Sequence, residues 1–117
     1  MRAPLWTPSE DRKRQANLTR FIETLNRTHA AGIATYAQLH RWSVENLLDF
    51  WAVLWEFAEI KSSQPYERVA DDLGKFPGVR WFPGARLNFA ENLLRYRDDR
   101  PAFIFRGETQ KSATMTY

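Results

Sequence analysis

The sequence predicts an α+β fold that is mainly helical. N-terminal helices lead into an irregular Pro/Gly/aromatic segment with a short helix, and a C-terminal β-hairpin follows that would belong to a larger sheet. Three observations predict it. Apolar residues recur at helical spacing through the first half of the chain. Glycine and proline then interrupt every pattern between residues 74 and 84. The last twenty or so residues alternate as paired strands do.

Thr7, Pro8, Ser9 and Glu10 read as a capping box, with Thr7 as N-cap, Pro8 at the first helical position and Glu10 reaching back. Asp11 adds negative charge where the helix dipole favours it. Leu18, Phe21, Ile22, Leu25 and His29 form one apolar stripe, so a helix is expected over about residues 8–30, with Gly32 closing it at C′. Leu5 and Trp6 stand where they can staple back onto it.

Thr35 is the expected cap of a short helix, TYAQLHRW, and Ser43 the expected cap of a long one starting at Val44. Val44, Leu47, Leu48, Trp51, Leu54, Trp55 and Ala58 make its expected core stripe. Phe50, Val53 and Phe57 lie off that stripe, so the helix is apolar nearly all round and calls for several neighbours.

Residues 61–65 read as a polar break, and 66–73 as a turn or two of helix or an irregular run. The Gly/Pro-rich residues 74–79 are expected to hold no regular structure. Arg80–Leu94, RWFPGARLNFAENLL, is the most apolar turn in the chain and has to be held against something. Within it Asn88 is expected to cap a short helix through Leu94, with Glu91 at the capping-box position. Asp98 to Pro101 is a turn, Ala102–Phe105 and Ala113–Tyr117 are strands, and a two-stranded hairpin alone is marginal in water.

The composition narrows the function. Of 117 residues, 44% are hydrophobic and 26% charged, as in a globular chain. Trp, Tyr and Phe number 5, 4 and 8, more ring surface than a chain of this size readily hides. The net charge of +3 comes from scattered residues, with Arg12-Lys13-Arg14 the only dense basic patch, so no nucleic-acid partner is expected. The absence of cysteine excludes disulfides and thiolate metal sites. No run approaches the length of a membrane span, and a cytoplasmic location with no membrane partner is expected.

No catalytic constellation is visible. His29 and His40 are too few for zinc and no metal site is expected. Asp71-Asp72 and Asp98-Asp99 are adjacent pairs whose side chains diverge, and they read as solvated turn or helix-end charges. Gly74, Gly78 and Gly84 match neither phosphate-loop pattern. Arg86, beside the helix start at Asn88, is the one place where an anion contact is worth testing, against an ordinary ion pair or solvated guanidinium. These two are the only cofactor-binding candidates.

The blocks LWTPSEDR (Leu5–Arg12), GIATYAQLHRWSVEN (Gly32–Asn46), Phe50-Trp51 and RWFPGARLNFAENLL resemble the N-terminal region of the acetoacetyl-CoA synthetase (acetoacetate–CoA ligase) family, part of the acetyl-CoA-synthetase-like adenylate-forming enzymes. The pattern W-F-x-G-x-x-L-N-x-x-x-N, here Trp81, Phe82, Gly84, Leu87, Asn88 and Asn92, is shared with acetyl-CoA synthetases. The resemblance implies an AMP-forming ligase of lipid and ketone-body metabolism that uses ATP, Mg²⁺ and CoA. It also implies that the phosphate loop, adenine-binding motifs and lid lysine lie downstream of a region like this one. It carries no catalytic residue and no cofactor into these residues, whose expected partner is the remainder of the same adenylate-forming domain. Residues 1–97 are expected to be a helical cap and 98–117 a hairpin opening the large domain, cut inside its second strand. Three readings compete with this: a free-standing helical interaction module, a basic nucleic-acid binder, and a ligase for acetate or propionate.

Overall fold

The computed structural model describes residues 5–109 and 111–117. Its elements in order are α1 (Glu10–Arg14), α2 (Asn17–His29), α3 (Tyr36–Glu45), α4 (Leu47–Phe57), β1 (Ser62–Gln64), β2 (Arg86–Leu87), α5 (Phe89–Leu93), β3 (Pro101–Arg106) and β4 (Ser112–Thr116). They fall into two units. One runs through Ile60 and takes in Val69–Trp81; the other joins Lys61–Arg68 to Phe82–Tyr117.

In the helical unit the expected first helix is two. Ser9, not Thr7, is the N-cap, its Oγ accepting from the Arg12 N–H at 3.3 Å. Glu10 therefore opens the helix and pairs with Lys13 at 2.7 Å instead of reaching back. Residues 10–16 offer no apolar face, so α1 is supported by its Ser9 cap and by i,i+3 ion pairs, Asp11 with Arg14 being the other. The chain turns extended at Ala16, and α2 starts where the apolar stripe does. It ends at His29 because Ala30 already adopts the left-handed conformation, φ 49°, ahead of Gly32.

Thr35 caps α3 as expected, and Gln38 completes a capping box that was not anticipated. Ser43 is no cap; it lies inside α3 and donates to the His40 carbonyl at 2.8 Å. The break comes three residues later, at Asn46, where φ −124° and ψ 53° leave the helical region.

That shift changes which face of α4 is inside. Phe21, Leu25, Ile33 and Leu39 form the buried core, and Phe50, Val53, Leu54 and Phe57 pack on it. Phe21 meets Phe50 and Phe57 edge-on, with ring centroids 5.6 and 5.1 Å away. Three of these four α4 residues were expected off the stripe. Of the expected core stripe, Val44 is 64% exposed and Trp51 37%. A helix apolar nearly all round leaves its apolar pattern little power to choose the inner face.

The link from α2 to α3 is closed by one amide. Asn26 Oδ1 accepts from the Ile33 N–H at 2.7 Å, and its Nδ2 donates to the Ile33 carbonyl at 2.8 Å. Ile33 can thus enter the core with both backbone groups satisfied.

In the strand unit the expected polar break contains β1, which pairs antiparallel with β2, Ser62 opposite Leu87 and Gln64 opposite Arg86. Asn88 caps α5 as expected, its Oδ1 accepting from the Glu91 N–H at 3.2 Å. The expected hairpin is β3–β4, with Phe103 opposite Met115 and Phe105 opposite Ala113. Cross-strand pairing puts these four on one face. Phe103, Phe105 and Met115 are 65, 61 and 64% exposed there.

Candidate functional site

Arg80–Leu94 supplies the site because several polar groups along it have specific partners. In the helical unit, Asp71 closes residues 71–80 into a loop. Its Oδ1 accepts from the backbone N–H of Arg80 at 2.9 Å and of Asp72 at 2.8 Å, and its Oδ2 from Arg80 Nε at 3.0 Å. The Asp71 N–H donates back to the Arg80 carbonyl at 3.1 Å, and Lys75 Nζ stands 3.7 Å from the carboxylate. With its side chain only 6% exposed, Asp71 is no solvated turn charge, contrary to expectation. The Arg80 N–H first, and the Arg80 guanidinium next, hold its carboxyl far below the usual carboxylate range. Beyond the clasp, Trp81 bridges to Ala70 and lies 5.6 Å from Trp51 between ring centroids.

In the strand unit the chain bends at Phe82 and Gly84, both with positive φ, 50° and 89°. Phe82 meets Tyr66 edge-on at 5.1 Å, and the Pro83 carbonyl accepts from the Glu67 N–H at 2.9 Å. A Cβ on Gly84 would come within 2.9 Å of Glu67 Cγ. Backbone conformation and close approach together require glycine here.

After Leu87 on β2 and the Asn88 cap comes Asn92, whose amide reaches back to Lys61. Oδ1 accepts from the Lys61 N–H and Nδ2 donates to the Lys61 carbonyl, both at 2.8 Å, while Nδ2 also donates to the Asn88 carbonyl at 3.0 Å. This one side chain joins α5 to the start of β1 across 31 residues of sequence. The Asn92 bracket and the Asp71 clasp both escaped sequence reasoning. The only signal for the former was the last position of the W-F-x-G-x-x-L-N-x-x-x-N pattern.

Of the two predicted contact residues, Arg86 is exposed on β2, its carbonyl accepting from Ser63 Oγ at 3.3 Å. Asn88 spends its side-chain acceptor on its own helix. A shallow hollow of about 510 Å³ beside α5 is lined by Lys61, Asn88, Glu91, Arg95 and Arg97 among others, without Arg86.

Elsewhere, His29 stacks edge-on against Trp42 at 5.6 Å, and His40 lines an apolar groove. Among the described residues no three His, Cys, Asp or Glu side chains stand close enough to hold a metal ion. Asp98 is a turn charge with a fixed partner. The Arg100 guanidinium, then the Arg100 N–H, holds its carboxyl below the usual value, and Arg100 also lies 4.5 Å from the centre of the Tyr96 ring. No helix among the described residues is long and apolar enough to cross a membrane.

Comparison with known proteins follows this architecture. Residues 36–93 match the family described as "Acetyl-coenzyme A synthetase N-terminus". The chain is 38% identical over 108 residues to the acetoacetyl-CoA synthetase of Danio rerio, covering 92% of this chain and 16% of that protein. It is 35% identical over 114 residues to the acetoacetyl-coenzyme A synthetase of Rhizobium meliloti, covering 97% of this chain and 17% of that protein. A solved acetoacetyl-CoA synthetase from Streptomyces lividans superposes with a TM-score of 0.85 at 43% identity, covering 98% of this chain and 18% of that one. The chain thus spans about one sixth of the length of the curated relatives it matches. With Phe82, Gly84, Asn88 and Asn92 explained by the bend, the cap and the bracket they build, residues 36–93 belong to the acetyl-coenzyme A synthetase N-terminus family.

Proposed function

We propose that these residues are the N-terminal, non-catalytic segment of an ATP-dependent acid–thiol ligase that converts acetoacetate and CoA to acetoacetyl-CoA. In that reaction the acetoacetate carboxylate attacks the α-phosphate of ATP, giving acetoacetyl-adenylate and pyrophosphate; the CoA thiol then displaces AMP. ATP, Mg²⁺ and CoA serve the longer enzyme. No step of this reaction is assigned to the side chains of the segment. The carrying observation is the similarity of nearly the whole chain to less than a fifth of a solved acetoacetyl-CoA synthetase.

The segment's work is architectural. Residues 1–97 act as a helical cap and 98–117 as the opening hairpin of the large domain. The exposed face of Phe103, Phe105 and Met115 is a surface for the remainder of that domain to cover. A cytoplasmic setting fits a chain without cysteine. Arg14 paired with Asp11 and Arg80 with Asp71 leave fewer free cations for a nucleic acid.

The choice of acid belongs to residues outside this segment. A malonamoyl-CoA synthetase from Penicillium aethiopicum is 37% identical over 91 residues, hardly different from the 38% of the Danio rerio protein. The test is to assay the long polypeptide that carries this segment for ATP-dependent CoA thioester formation and AMP release with acetoacetate, acetate and propionate. Preference for acetoacetate is expected. Thioester formation favouring acetate or propionate would reassign the substrate, and no thioester with any of the three, or turnover by residues 1–117 alone, would overturn the reading.

A further inference from the structure

We draw no further inference here: the strongest candidate, the apolar groove of about 340 Å³ where α2, α3 and α4 meet along Leu18, Phe21, Tyr36, Leu39, Phe50 and Leu54, carries nothing because nothing in the structure shows what covers it.

Discussion

The amide of Asn92 satisfies both backbone polar groups of Lys61, accepting from its N–H and donating to its carbonyl, each at 2.8 Å. Asn26 does the same for Ile33 in the helical unit. An amide is the side-chain group that offers a donor and an acceptor side by side, and its geometry matches one residue's backbone as a strand neighbour does.

Asn92→Ala removes both bonds to Lys61 and the one to Asn88, and about 1–3 kcal/mol of local stability is expected to go with them. Asn92→Asp keeps the acceptor but sets a carboxylate against two carbonyls, so at neutral pH it should do no better than alanine. Amide hydrogen exchange at Lys61 and in α5 measures this. Protection unchanged in both variants would show that the bracket contributes nothing.

Leu25 is fully buried, and Leu25→Ala should cost about 2–5 kcal/mol by urea unfolding. Val44→Ala, at a largely exposed position, should change stability by no more than about 0.5 kcal/mol. Equal losses would mean that the inner face of the helices has been misassigned.

Gly84→Ala forces a β-carbon into the left-handed region, at about 1–2 kcal/mol, and against Glu67 as well. Gly32→Ala carries the backbone cost alone, since nothing lies within 4 Å of its added Cβ. Gly84→Ala should therefore be the more damaging. Adding Glu67→Ala should restore the part due to contact and leave the part due to φ. A double variant no better than Gly84→Ala would mean that Glu67 simply moves aside.

Asp71 sets an acid limit for its loop. Its folded value is depressed, so the carboxylate contributes fully above the unfolded value of about 4 and loses that contribution as pH falls below it. Asp71→Asn should be less stable than the parent at pH 7, and the gap should narrow below about pH 4. A gap independent of pH would show that the charge plays no part in the clasp.

The short-range chemistry was legible in the sequence. The caps at Thr35 and Asn88 and the C-terminal hairpin each depend on a few residues, and each formed as read. What was illegible depended on distant partners or on choices among equals. Thr7 and Ser9 are both cap-class residues, and only bonding to Arg12 N–H separates them. α4 is apolar nearly all round, so packing on Phe21 and Leu25 settled its inner face more than its own pattern did. Asp71 looks like any turn aspartate until Arg80 folds over it. Of the site, the residue types at Gly84, Asn88 and Asn92 were legible as a family pattern, but the grip of Asn92 on Lys61, 31 residues away, was not.

The division into two units also sorts the chromophores. Trp6, Trp42, Trp51, Trp55 and Trp81 all fall in the helical unit, whereas the strand unit absorbs through Tyr66, Tyr96 and Tyr117. Tryptophan emission is therefore a private signal of the helical unit. A melt followed at tryptophan wavelengths reports the fate of Leu25 and its neighbours, while the grip of Asn92 on Lys61 has to be watched through tyrosine or through the amides themselves.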